Sequence, residues 1–152
     1  MTRFDRNSLR KAVSNRTTQA VDDLCALVRH DSLLGNEASA QGWIADQFAD
    51  MGLDVERVAI DIDALRDQPG FSPPIIDDYD GRENVIGLHR PQNPTGRSLI
   101  LNGHMDVVPT GPTEKWRRGP FDPYVEGDWL YGRGAGDMKA GIIAYCHALR
   151  AL

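Results

Sequence analysis

Apolar positions recur along this chain in two rhythms. From about Ser8 to His30, the residues Leu9, Val13, Ala20, Val21, Leu24, Leu27 and Val28 fall at threes, fours and sevens, the stripe of one amphipathic helix. Asp31-Ser32 and Gly35-Asn36 interrupt it. A second helix is predicted from about Glu37 to Met51, with Trp43, Ile44, Phe48 and Met51 on one face and Gly52 as its stop. Leu53, Val55 and Val58-Ala59-Ile60 read as a strand, as does Asn84 to His89. Between them, residues 61–83 hold Pro69, Gly70, Pro73, Pro74 and a run of acids. They predict an irregular connection laid over a surface. Ser98-Leu99-Ile100-Leu101-Asn102-Gly103 is a nearly continuous apolar run, the pattern of a strand at the buried centre of a sheet. Tyr124 to Glu126 and Trp129 to Tyr131, joined by Gly127-Asp128, predict a hairpin. Met138 to Leu152 predicts a last helix with Ile142, Ile143, Tyr145, Cys146 and Leu149 as its apolar set. Helices alternating with strands place the chain in the α/β class.

Composition narrows the functional classes. At 152 residues the chain suffices for one compact domain, and 41% apolar with 26% charged residues is a globular composition. Seventeen basic residues stand against 22 acidic ones, a net charge of -5, and the basic ones are scattered, which argues against a nucleic-acid partner. No apolar run approaches the roughly 20 residues of a membrane-spanning helix. The first eighteen residues lack the apolar core and cleavage site of a secretory signal, so a cytoplasmic location is expected. Cys25 and Cys146 sit in helical apolar patterns without metal spacing and are expected to be reduced, buried thiols.

The chemistry concentrates in two stretches. In Leu99 to Pro109, an apolar strand delivers His104 and Asp106 at its C-terminal end, where α/β sheets place their ligand crevices. Two residues apart in extended chain, both side chains point the same way. Asp106 can then hold one ring nitrogen of His104 and leave the other free for a metal; a purely structural pair at a strand end is the competing reading. In Tyr131 to Gly141, three alternating glycines precede Asp137 at the expected N-cap of the last helix. Beyond capping, its two carboxylate oxygens can bridge two cations about 3.5–4 Å apart. A phosphate cradle does not fit: the Gly-Lys-Ser/Thr ending is missing, and Asp137 stands where a dinucleotide fingerprint needs its last glycine. Arg133 and Lys139 flank Asp137 and are expected in structural ion pairs. His30, His89 and His147 are expected to be ordinary histidines, and Trp116, Phe121, Trp129 and Tyr131 packing anchors.

The segments LILNGHMDVVP and LYGRGAGDMKAG, about thirty residues apart with Trp116 and Pro120-Phe121 between them, resemble those of the zinc-dependent deacylases and exopeptidases. That family includes acetylornithine deacetylase, succinyl-diaminopimelate desuccinylase, aminoacylase and carboxypeptidase G. The resemblance runs back through GRENVIG and GLDVERV and covers nearly the whole chain. It implies the N-terminal portion of a mixed-sheet, helix-flanked catalytic domain, here residues 1–152, without the smaller lid and dimerisation domain. His104 matches the histidine on one zinc, Asp106 the aspartate that orients it, and Asp137 the carboxylate bridging both zincs. The implied reaction is metal-assisted hydrolysis of the amide of a small N-acyl amino acid, with N-acetylornithine the first substrate expected and a dipeptide the second. Two zinc ions, replaceable by cobalt, and a homodimeric full-length form are implied as well.

The same resemblance implies groups that match nothing in this chain. The general-base glutamate, an adjacent acidic ligand, a further carboxylate and a distal histidine all follow the last helix in the family, whereas the last glutamate here is Glu126. The chain is therefore expected to be a truncated part of an enzyme, inactive by itself and marginal in stability because sheet edges are left open. A non-catalytic interaction module and a complete small metal-binding domain are the alternatives.

Overall fold

The computed structural model describes residues 5–76 and 78–152 and contains five α-helices and two two-stranded antiparallel sheets among them. Asp77, within the connection expected to be irregular, and the first four residues lie outside the described residues.

The long first helix predicted by the sequence is two, α1 (Arg6–Ser14) and α2 (Thr17–Val28). The polar run Ser14 to Thr18 breaks the apolar stripe, and its residue types compete with helical hydrogen bonds through their own side chains. Asp5 starts α1 by accepting from the backbone amides of Asn7 and Ser8, yet α1 buries no residue. Helix α3 (Ala38–Asp50) matches its prediction closely. Gly52 (φ 74°) ends it: the Gly52 amide donates to Ala49 O and the Leu53 amide to Phe48 O, the paired bonds of a glycine-terminated helix.

β1 (Asp54–Ala59) and β2 (Glu83–Leu88) pair with each other, from Asp54 opposite Leu88 to Ala59 opposite Glu83. The connection between them carries one helical turn, α4 (Ile62–Leu65), that the sequence reading missed; Asp61, accepting from the Ala64 amide, is the capping signal for it. Arg82 clamps the start of α3 through two hydrogen bonds to Glu37, at 3.0 and 2.9 Å. β3 (Tyr124–Glu126) and β4 (Trp129–Tyr131) form the predicted hairpin around Gly127-Asp128. The last helix, α5 (Ala140–Arg150), begins two residues later than predicted.

The core is helical. Leu27 of α2, Ala40 and Ile44 of α3, and Ile142, Ile143 and Cys146 of α5 pack around Met105. His147 of α5, itself buried, is 2.8 Å from Asp23 of α2 and ties the two helices further. Neither cysteine is in a disulfide; burial pushes the Cys146 thiol up to about 11, while Cys25 is only partly buried, against the expectation. No helix among the described residues is long and apolar enough to cross a membrane.

The largest departure from the sequence reading lies at Ser98 to Gly103. The predicted central strand is not formed, and Leu99 and Ile100 are 74% and 88% exposed. A strand needs a neighbour for its backbone N–H and C=O groups, and the described strands pair only with one another. The surface area agrees: 11047 Å² is exposed, where a compact protein of this mass exposes about 7,700 Å². Of the α/β expectation, the described residues show mixed helices and small antiparallel sheets, without the larger mixed sheet.

Candidate metal centre

Although no strand precedes it, the segment after Gly103 is extended and alternates. Met105 and Val107 are buried, at 6% and 4% exposure, and His104 and Asp106 point the opposite way. Two contacts hold it in place. Val107 bridges in parallel to Leu33, its amide donating to Ser32 O at 2.9 Å, and Ser32 Oγ donates to Met105 O at 2.6 Å. Both inward residues are buried, Met105 in the helical core, so the outward pair is presented on a fixed backbone.

Asp137 arrives from a different direction. Residues Ala135–Lys139 form a wide, kinked turn in which Asp137 is extended (φ -128°, ψ 100°). It is not the N-cap of the last helix, as its position in the sequence suggested; α5 starts at Ala140, and Lys139 precedes it without a side-chain cap. Freed from capping, the Asp137 carboxylate turns toward His104. Gly134 (φ 77°) makes the approach possible: its backbone is left-handed, and a Cβ there would collide with Val107 Cγ1.

The three side chains named from the sequence therefore meet. His104 Nδ1 lies 3.1 Å from Asp106 Oδ1 and 3.1 Å from the Asp106 carbonyl oxygen, and His104 Nε2 lies 3.2 Å from Asp137 Oδ1. Partial burial of His104 works to lower its pKa, but the hydrogen bond it donates to Asp137 and the charge of Asp106 outweigh it and hold the imidazole above its ordinary value. The Asp137 side chain is 91% exposed, leaving its second oxygen open.

The donor chemistry suits a divalent cation in part. Imidazole and carboxylate are zinc ligands, and with metal–ligand distances near 2.0–2.2 Å two ligand atoms on one tetrahedral zinc lie about 3.4 Å apart. The 3.2 Å between His104 Nε2 and Asp137 Oδ1 is close to that separation. Asp106 supplies the carboxylate behind the ring that metal-bound histidines commonly have. The set is short, however. A catalytic zinc takes three protein ligands, and among the described residues no group of three or more His, Cys, Asp or Glu side chains is arranged to hold a metal.

The flanking basic residues depart from expectation. Lys139 makes no ion pair among the described residues; it is fully buried, and Nζ donates to the carbonyls of Leu27 at 3.1 Å and His30 at 2.9 Å. Burial pushes its pKa down to about 8, against the pull of Asp31. Arg133 lies over the Trp116 ring at 5.2 Å and donates to Thr110 O at 3.3 Å, again without a carboxylate partner. The sequence held no signal for either partner set, since the carbonyls lie 112 and 109 residues from Lys139. Ser32 was missed for the same reason, its partner being 73 residues away. Of the other histidines, His147 is committed to Asp23, and burial lowers the pKa of His30.

Known proteins give the site its context. The model of peptidase family M20/M25/M40 matches residues 100–152, the stretch that contains His104, Asp106 and Asp137. Succinyl-diaminopimelate desuccinylase of Methylorubrum extorquens is 38% identical over 117 residues, 77% of this chain and 26% of that protein. The same enzyme of Thioalkalivibrio sulfidiphilus is 34% identical over 125 residues, 82% and 27% of the two chains. That of Delftia acidovorans is 35% identical over 135 residues, 89% and 30%. The chain spans roughly a quarter of the length of these curated relatives. With one match covering the site segment and the others reaching most of the chain at more than 30% identity, the chain belongs to peptidase family M20/M25/M40.

Proposed function

We propose that this chain forms part of the catalytic domain of a metal-dependent hydrolase that cleaves the amide bond of an N-acyl amino acid. The observation that carries the reading is the meeting of His104 Nε2 with the Asp137 carboxylate while Asp106 holds the other ring nitrogen. Among N-acyl amino acids, the names of the relatives favour an N-succinyl diamino acid over the N-acetylornithine that the motifs alone suggested.

Each residue has a distinct role in this reading. Asp106 takes the Nδ1 proton of His104 in a hydrogen bond, fixes the ring and makes Nε2 a better electron-pair donor. His104 Nε2 and the Asp137 carboxylate would hold the metal, and the Asp137 side chain, 91% exposed, would leave its second oxygen available to it as well. Zinc, when bound, supplies Lewis-acid polarisation of the amide carbonyl and lowers the pKa of the attacking water. The remaining ligands and the general base come from outside the 152 residues. This chain alone is therefore expected to turn over at least roughly 10²–10⁴-fold more slowly than a complete site, from the missing base alone.

The test uses the full-length polypeptide loaded with zinc or cobalt. Release of free amine from N-succinyl and N-acetyl diamino acids, abolished by His104→Ala and by Asp137→Ala, is the expected result. Full activity in both variants would sink the assignment, and preference for a dipeptide would move the substrate class. Parent-like turnover by the 152-residue chain would overturn the role of groups outside it.

A further inference from the structure

Resting on the metal-centre reading, we propose that Ser32 and Lys139 are positioning residues that hold the two arms of the centre against one turn of backbone, Leu27 to Ser32 at the C-terminal end of α2. The two arms come from distant stretches of sequence, and neither lies on a regular element. His104 and Asp106 sit on an extended segment without a flanking strand, and Asp137 sits in a kinked turn before α5. Their separation is thus set by whatever anchors each arm.

Both anchors converge on the same turn. Ser32 Oγ donates to Met105 O at 2.6 Å, between His104 and Asp106, and Ser32 O accepts from the Val107 amide at 2.9 Å. Lys139 Nζ donates to Leu27 O at 3.1 Å and His30 O at 2.9 Å, and its own amide donates to Gly134 O at 3.0 Å. The first of these carbonyls belongs to the last turn of α2, where the negative end of the helix dipole favours a cation. Ser32 and Lys139 are both fully buried.

Filling space does not require these two residue types. An apolar side chain of similar volume fits a buried position without the desolvation that an ammonium or a hydroxyl brings. What only the polar groups supply is direction: Ser32 fixes the Met105 carbonyl, between His104 and Asp106, and Lys139, two residues after Asp137, ties its own side chain to the same turn. The turn acts as a common mount, so that the 3.2 Å between His104 Nε2 and Asp137 Oδ1 is a property of α2 as much as of the two arms.

The experiment measures cobalt(II) and zinc affinity by competition with a chelator, and the visible spectrum of the cobalt form, in the full-length polypeptide. Ser32→Ala and Lys139→Met are compared with the parent, with His104→Ala, and with Ile44→Val, which loosens the same core without removing any of the anchoring hydrogen bonds. Ser32→Ala and Lys139→Met are expected to weaken metal binding by roughly 10–100-fold, as outer-shell partners do, and to shift the cobalt bands. Ile44→Val should lower the unfolding midpoint and change neither readout. Variants at 32 and 139 that melt lower but keep the parent's affinity and spectrum would reduce both residues to packing and overturn the proposal. If Lys139→Met does not fold, Ser32→Ala, which removes a single hydroxyl, decides it. A His104→Ala protein with the parent's affinity would instead overturn the metal centre itself, and the mount with it.

Discussion

Two kinds of apolar segment in this protein are alike in sequence and opposite in fate. Leu27-Val28 and Ile142-Ile143 are buried at the meeting of α2 and α5, whereas Leu99-Ile100-Leu101 stands largely in solvent. Hydrophobic character is the same in each; what differs is where the backbone hydrogen bonds go. Inside a helix they are satisfied within the segment, so packing one apolar face suffices for burial. An extended run must find a neighbouring strand first, and none of the described strands lies beside Ser98 to Gly103. The candidate metal centre sits where these regimes join: His104 follows the open run directly, yet Met105 is already fixed in the helical core and Val107 is buried.

The sharpest test of this contrast is a matched pair of truncations. Ile142→Ala is expected to cost roughly 2–5 kcal/mol by removing buried methylenes and leaving a cavity, whereas Ile100→Ala should stay within about 0.5 kcal/mol. Urea unfolding of the 152-residue chain reads both, and comparable losses would mean that residues 98–103 are packed after all. Gly134→Ala comes next, at roughly 1–3 kcal/mol, from the left-handed backbone and the collision with Val107. It should weaken metal binding in the full-length polypeptide as well, because the collision pushes the two arms apart.

A pH series separates the exposed centre from the core behind it. In the metal-free chain the pKa of His104 is raised above the ordinary imidazole value, about 6.5, by its carboxylate partners. Its stabilising contribution is therefore fully present below pH 6.5 and lost as pH rises through the folded value. Metal binding needs the unprotonated ring and runs the other way, weakening about tenfold per pH unit below that value. Metal affinity that stays flat from pH 7.5 to 5.5 would remove His104 from the ligand set. The smallest effect is expected in solution behaviour. Ile100→Lys should leave the unfolding midpoint unchanged and reduce self-association by sedimentation, since it breaks an exposed apolar run.

The sequence alone determined the elements whose signals are local. Period and stop residue located α3 and Gly52, the Gly127-Asp128 pair located the hairpin, and alternation about Met105 put His104 and Asp106 on one side. These rest on the geometry of a few consecutive residues, which side-chain type records directly. Two local readings failed where signals competed: the polar run Ser14 to Thr18 split the first helix, and the turn Ala135–Lys139 took Asp137 away from the cap position. Only the tertiary structure decided that Asp137 meets His104 across 33 residues, that Lys139 reaches the end of α2, and that Ser32 holds Met105. Contacts of that kind join backbone atoms that every residue possesses, so no pattern of residue types announces them. It decided the exposure of Leu99 to Leu101 as well, because a strand's burial depends on a partner that its own sequence does not contain.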